Sequence, residues 1–422
     1  MTSTDTPPAG AALTTQGVTV CRGCGAKALQ SVLDLGEQPL ANELLPAADT
    51  PDAVFPLHLR ICAECGLGQL GEFVAPERIF GDYPYLSSVS SSWVAHAHNY
   101  AKVMYDELGL ADGGLVVEVA SNDGYLLREF RDLGVQVLGV EPAANVAEIA
   151  RANGVPTVTT FFGREAARQL VDEHGTPTLV AANNVLAHVP DLDDFVGGFA
   201  ILCGNDTTIT VENPSFVTLL TETQFDTIYH EHYSYLSAHA VARLVERHGL
   251  QLVRVEELPT HGGSYRYWIR RAGAVAADPV VGDLIERELA AGLLSPPAWQ
   301  AFEGRSRAAV DGLRSWLTER AAAGARVAAY GAAAKGNTLL NAAGVRAGDL
   351  LVVADGSAEK QGRWLPGSRI PIVAPAALAD STPTDVLVLP WNIAGEIVAV
   401  LADLVPDATA WAAIPEMRTL PR

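Results

Sequence analysis

The densest chemistry in the chain lies at residues 229–235. Tyr229, His230, Glu231, His232, Tyr233 and Tyr235 place two histidines, one acid and three tyrosines within seven positions. A packed core segment does not concentrate polar rings in this way. A histidine with an ordinary pKa of about 6.5 accepts a proton near neutral pH. A neighbouring carboxylate can orient the imidazole, and a tyrosine hydroxyl can steady an oxyanion. The segment therefore reads as acid–base machinery. The alternative is a metal held by His230 and His232, because alternate residues of an extended segment share a face. His188, just after a strand end at Asn183, should face the same cleft, or else pack or cap locally. His261-Gly262-Gly263-Ser264 is a second pocket loop, or a plain hairpin turn.

A different chemistry opens the chain. Cys21-x-x-Cys24 and Cys62-x-x-Cys65 each run into a glycine, Gly25 and Gly66, which lets the backbone turn back so that amides face the sulfurs. Four thiolates from two such knuckles close a tetrahedral zinc site with no open position, so the metal holds a fold together and does no chemistry. Short-range disulfides or free thiols are the alternatives. Only Cys203 of the five cysteines lies outside the pattern.

These residues need elements to position them. Residues 90–110 carry Trp93, Val94, Ala97, Ala101, Met104 and Leu108 at helical spacing. Strand runs follow at 115–120, 135–140, 178–182 and 207–211, with helical stretches at 144–153 and 164–173 between them. Such alternation predicts a parallel sheet covered by helices on both faces. A long helical stretch, 280–323, leads to a second strand-loop-helix at 326–337, with further strands at 350–354 and 385–389. The fold class is α/β: a small N-terminal zinc-binding module, a central Rossmann-like domain and a C-terminal Rossmann-like domain. The expected boundaries are a disordered tail at 1–16, the zinc module at 17–80, the central domain at 81–272 and the last domain at 273–422.

The first central strand ends in Glu118-Val-Ala120-Ser121-Asn122-Asp123-Gly124, and the second in Glu141-Pro142. Ligands in such sheets sit at the carboxyl ends of strands. A tight loop with Gly124 lets amides approach a cofactor, and an acid at the second strand end can accept both hydroxyl hydrogens of a ribose. The loop is not the GxGxxG of a nicotinamide site. It looks like motif I of class I S-adenosylmethionine (SAM) methyltransferases. Asn183 and Asn184 extend the same edge, or form a polar turn.

With 422 residues, 49% of them hydrophobic, the chain is long enough for two or three domains. No apolar run approaches bilayer length, the first residues do not read as a signal peptide, and few cysteines with a thiolate site fit a reducing cytoplasm. A net charge of −20 argues against a nucleic-acid partner. No membrane partner is expected, and the chain is read as a monomer.

The order of these motifs resembles the NDP-sugar C-methyltransferases of deoxysugar pathways, over nearly the whole chain. The shared pieces are the double knuckle, Asp82-Tyr83-Pro84-Tyr85 with Ser87-Ser88, Glu118 to Gly124, Phe225-Asp-x-x-Tyr229-x-Glu231-His232, His261-Gly262-Gly263, Tyr330-Gly331-Ala-x-Ala-Lys335 and Pro390-Trp391-Asn392. The resemblance implies SAM as cofactor, a structural zinc, and a nucleotide-diphosphate 4-keto sugar, dTDP-linked, methylated at C-3. It implies His232 as general base supported by Glu231, with Tyr229, His188 and Tyr83 beside it. Substrate contacts are expected from Tyr85, His230, His261, Lys335, Asn337, Lys360, Arg363 and Trp391. Two departures touch the pocket: position 230 is His where the C-3 enzymes carry an acid, and Tyr233-Ser234-Tyr235 is more polar. Methylation at C-5, a sugar epimerase, a nitrogen or oxygen methyltransferase on another small molecule and a non-enzymatic zinc-ribbon protein are the alternatives.

Overall fold

A computed structural model describes residues 16–75, 78–79 and 86–421. Tyr83 and Tyr85, and nearly all of the expected tail, lie outside the described residues. No helix among the described residues is long and apolar enough to cross a membrane.

The cysteine-bearing module is an antiparallel sheet of β1 (Leu29–Pro39), β2 (Val54–Cys62) and β3 (Gly68–Leu70). Its fourth strand comes from the segment dense in His and Tyr: Ser234–Tyr235 pairs antiparallel with β3, Ser234 opposite Gln69 and Tyr235 opposite Gly68. The module shares its core with the rest of the chain. Leu33, Leu57, Leu59, Ile61 and Leu70 belong to one buried cluster with Phe216, Phe225, Ile228, Trp299 and Phe302.

The central domain opens with the helix Ser91–Glu107, capped by Ser90 Oγ, which accepts from the Trp93 N–H. Ala97, Ala101 and Met104 are buried, as the spacing requires. Strands β4 (Leu115–Val119), β5 (Gln136–Val140), β6 (Thr157–Val158), β7 (Leu179–Asn183) and β8 (Thr208–Pro214) are mutually parallel. The sheet is not wholly parallel, contrary to the expectation. After Ser234–Tyr235, which is β9, strands β10 (Leu250–Leu258) and β11 (Ser264–Arg271) form a hairpin, and β11 runs antiparallel to β8. The connection 259–263 is too short for a crossover, so the two strands can only fold back on each other. The order is β10-β11-β8-β7-β4-β5-β6.

The expected long helix is two, Pro279–Ala290 and Pro296–Ala322. Gly292 at φ 97° and the Pro296-Pro297 pair make the break. The last domain is a six-stranded sheet, β14-β13-β12-β15-β16-β17, built from β12 (Val327–Tyr330), β13 (Val353–Ala354), β14 (Ile372–Val373), β15 (Asp385–Val388), β16 (Thr409–Ala412) and β17 (Arg418–Thr419). It is parallel except for β17.

Candidate active site and metal centre

The sulfurs of Cys21, Cys24, Cys62 and Cys65 all lie within 4.8 Å of one another. Cys21–Cys65 and Cys24–Cys62 are 3.5 and 3.6 Å apart. These separations exclude disulfides and approach the edge of about 3.8 Å expected for sulfurs 2.3 Å from a tetrahedral zinc. The amides that face sulfur are those of Gly23 and Cys24 toward Cys21, and of Glu64 and Cys65 toward Cys62. Gly25 and Gly66, at φ 79° and 71°, instead donate to the Cys21 and Cys62 carbonyls and close each turn. Among the described residues, no other cluster of metal-ligating side chains occurs, so the His230–His232 metal alternative has no support.

Between the knuckle cysteines stands Arg22, which sequence reading missed. Its Nη1 donates to the Val189 and Pro190 carbonyls at 3.2 Å, and its Nη2 to Ser234 Oγ at 3.1 Å and to the Tyr233 carbonyl. One guanidinium thus ties the metal module to the segments that carry His188 and His232.

His232 is held at both ring nitrogens. Nδ1 lies 3.0 Å from the Thr227 carbonyl and Nε2 lies 2.9 Å from the Tyr229 hydroxyl. A carbonyl only accepts, so Nδ1 carries the proton and Nε2 presents its lone pair to the Tyr229 O–H. Burial, reinforced by His188, pushes the His232 pKa well below the ordinary value and keeps the ring neutral. His188 packs 4.9 Å from it, ring to ring, and donates Nδ1–H to the Glu231 carbonyl at 2.7 Å. Burial lowers its pKa to about 4.

Two expectations are corrected here. What orients His232 is the Thr227 carbonyl rather than Glu231, whose Oε1 accepts from Asn42 Nδ2 at 2.6 Å. Burial raises the Glu231 pKa to about 7. His230 turns away from the cleft: Nε2 donates to the Phe55 carbonyl at 3.2 Å, and the ring packs edge-on to Phe55. An extended segment would put both rings on one face; instead the chain turns at 230–231, with the His232 N–H bonding the Tyr229 carbonyl at 2.9 Å, and the turn parts His232 from His230.

At the cofactor loop, Ala120 and Asn122 take left-handed conformations, φ 58° and 50°, ahead of Gly124 at 78°. The Ala120 N–H bonds the Val140 carbonyl at 2.7 Å. Glu141 uses Oε2 to accept the Asn122 N–H and Oε1 to accept the Ala143 N–H, both at 2.9 Å. It therefore shapes the loop, and burial raises its pKa. Pro142 follows it, half-buried. Asn122 Oδ1 also accepts the Ser87 N–H at 2.9 Å.

From the C-terminal domain, Lys335 Nζ donates to Asn392 Oδ1 at 2.7 Å and lies 4.8 Å over the Trp391 ring. Burial lowers its pKa, opposed by Asp226. The Trp391 indole N–H donates to Asp226 Oδ2 at 2.7 Å, and its ring covers Gly262, where a Cβ would fall 2.5 Å away. His261, at φ 55°, sits on the tip of the β10–β11 hairpin, edge-on to Trp93, so both readings of that loop describe it. Asn337 does not face the cleft: it is 1% exposed and ties to the Ala41 carbonyl and to Asn341. Lys360 bonds the Ala332 carbonyl and pairs with Asp355, and Arg363 is exposed.

C-methyltransferase NovU of Streptomyces niveus is 36% identical to the chain over 384 residues, which cover 90% of this chain and 91% of that protein. The chain belongs to the C-methyltransferase family. Three family descriptions divide this C-methyltransferase: a putative zinc binding domain at 21–80, a methyltransferase domain at 95–255 and a C-methyltransferase C-terminal domain at 259–415. Solved structures are similar over less than half of it. A protein from Pyrococcus horikoshii OT3 matches 46% of this chain and 98% of its own at 14% identity and a TM-score of 0.37. Magnesium protoporphyrin IX methyltransferase from Synechocystis PCC 6803 matches 46% and 92% at 17% identity and 0.33. Likenesses this partial add nothing to the assignment.

The methyltransferase edge fits SAM by its donor–acceptor balance. Glu118, which meets only the Tyr125 hydroxyl, is joined by Asp123 Oδ1, Asn183 Oδ1 and Asn184 Oδ1, buried acceptors without a hydrogen-bond partner, and Ser121 Oγ is likewise unpaired. Such a set calls for a ligand rich in donors and positive charge. SAM offers an ammonium, a sulfonium, ribose hydroxyls and an adenine amine. Burial raises the Glu118 pKa well above the usual range, an effect a cation beside it would reverse. The cysteine quartet likewise fits a structural zinc.

Proposed function

We propose that the enzyme transfers the SAM methyl group to carbon on a nucleotide-diphosphate 4-keto deoxysugar, dTDP-linked, at C-3. The observation that carries this reading is the neutral His232 whose Nε2 lone pair meets the Tyr229 hydroxyl. A carbon next to a ketone becomes a nucleophile only when a base removes its proton. SAM, when bound, supplies the electrophilic methyl that the carbon takes up. His232 receives the carbon-bound proton at Nε2. As the acceptor binds, the Tyr229 hydroxyl turns from Nε2 to the ketone oxygen, baring the lone pair and meeting the developing negative charge. Thr227 keeps the Nδ1 proton in place, which fixes the useful tautomer. His188, 4.9 Å away and neutral, walls the base and adds no competing charge.

We assign Lys335 and Lys360, in the two segments that follow β12 and β13, to the diphosphate because each carries a positive charge there. Tyr83 and Tyr85 are assigned to the sugar by the family motif alone. The free thiols of the metal site support a reducing, cytoplasmic setting.

The test is mass spectrometry of reactions with SAM and a panel of nucleotide 4-keto sugars. A gain of one methylene unit that resists ester and ether cleavage supports the reading. Deuterium wash-in from the solvent without mass gain from SAM would instead point to epimerisation.

A further inference from the structure

Strand β8 ends with an amide where its pattern calls for a hydrocarbon. Ile209 and Val211 point into the core, both fully buried, and Asn213 is next on the same face at 1% exposure. Asparagine is a poor strand residue, and a buried amide needs partners for both of its ends. Asn213 has none: neither Oδ1 nor Nδ2 makes a hydrogen bond. It lines a small cavity of about 20 Å³ together with His232, Thr227, Gln224 and Tyr235. That volume admits a single oxygen-sized group. The Tyr235 hydroxyl is buried beside the same cavity, next to the Tyr229 backbone. An unpaired amide and a buried hydroxyl therefore border one oxygen-sized space beside His232, at the carboxyl end of a parallel strand, where ligands of such sheets bind.

We propose that Asn213 is a catalytic residue that binds the ketone oxygen of the acceptor through Nδ2–H, with the Tyr235 hydroxyl at its side, and stabilises the enolate formed when His232 takes the proton. The proposal rests on the preceding reading of the acceptor. The proton balance is closed: the C–H pair moves into the enolate, the proton goes to His232 Nε2, and the oxygen gains charge in front of donors already in place. A pocket of this kind needs no reorganisation at the moment of reaction.

The deciding variants are Asn213→Leu and Asn213→Asp in the full-length, metal-loaded enzyme. Leucine fills the same space and removes the unpaired amide. The expected result is a thermal midpoint equal to or above wild type, with kcat lower by about 10²–10³ and KM little changed. Exchange of the acidic sugar proton with deuterated solvent, followed with S-adenosylhomocysteine in place of SAM, should fall by the same factor. Aspartate keeps the shape and repels the enolate, so it should fold and lose at least as much activity. A leucine variant that melts several degrees lower, or an aspartate variant with kcat kept, would overturn the assignment and make Asn213 a structural residue bridged by water. Failure of the acceptor reading looks different: the wild-type enzyme itself would neither exchange nor methylate any keto sugar of the panel, while the thermal midpoint of Asn213→Leu would still report on the amide.

Discussion

The His232 ring is pinned between the Thr227 carbonyl at Nδ1 and the Tyr229 hydroxyl at Nε2. The backbone side of this pair sets the tautomer, and the phenol side marks where the working lone pair points. Replacing His232 with Asn keeps a group that can bond Thr227 but removes the base. The expected loss in kcat is about 10²–10⁴ with KM nearly unchanged. Tyr229→Phe should cost about 10²–10³, as for removal of one oxyanion donor. Steady-state kinetics with saturating SAM measure both, and near-normal turnover in His232→Asn would exclude His232 as base.

The acid side of the pH profile should be unusual for a histidine base. Burial holds the His232 pKa well below 6.5. The neutral, active form therefore persists as pH falls through the ordinary histidine range. We expect log kcat/KM to stay flat from pH 7 down past pH 6, with the acid limb appearing lower. A limb centred near 6.5 would contradict the buried, neutral ring.

His230 offers the matching stability test. Its folded-state pKa is about 4, lowered by burial, against about 6.5 in an unfolded chain. Between those values the unfolded chain binds the proton and the folded one does not, so this residue costs stability as pH falls from about 6.5 to about 4. His230→Phe removes that cost. Its thermal midpoint relative to wild type should rise steadily as the buffer is taken from pH 7 to pH 4.5.

Arg22 should separate metal binding from catalysis. The variant Arg22→Met leaves the four cysteines untouched but releases the Tyr233, Val189 and Pro190 carbonyls. Metal analysis should still find one zinc per chain, whereas kcat should drop by up to about 10², the size expected when a reactive geometry slips by about an ångström. Chelation of the metal should lower the thermal midpoint as well as activity.

The contact of Trp391 with Asp226 joins the C-terminal domain to the reactive segment. Burial raises the Asp226 pKa to about 6. Trp391→Phe would take the indole donor from this buried carboxylate and leave it only the Asp226 and Thr227 amides, at a cost of about 1–3 kcal/mol. Denaturant melts should show it, together with a higher KM for the sugar nucleotide. Gly262→Ala should raise KM too, because a Cβ would meet the Trp391 ring and the residue sits at φ 90°.

The parts legible in the sequence were those with short-range signatures. Cysteine spacing located the metal quartet, and hydrophobic runs ending in Glu118 and Glu141 located the cofactor edge. The clustering of His and Tyr pointed to the segment now proposed to carry the base. What stayed hidden depends on pairings between distant residues. No side-chain pattern marks a backbone acceptor such as the Thr227 carbonyl, so the adjacent Glu231 looked like the partner of His232. Asn42 and Arg22 are ordinary polar residues until the fold brings them to Glu231 and Tyr233. His230 and His232 looked equivalent because residues two apart share a face of an extended segment, and nothing in the residue types announced the turn at 230–231 that sends His230 to the β2 strand. Asn213 did leave a signal, an amide closing the apolar face of a strand, but it acquires meaning only beside the ring of His232.

The strand Ser234–Tyr235 that completes the cysteine-bearing sheet is made long after the knuckles themselves. A nascent chain emerging from the ribosome with residues 17–75 has its metal ligands but an unsheltered β3 edge, open to rogue pairing until translation reaches residue 235. For the same reason a chimera that grafts this module between relatives inherits a mismatched seam unless residues 229–235 travel with it.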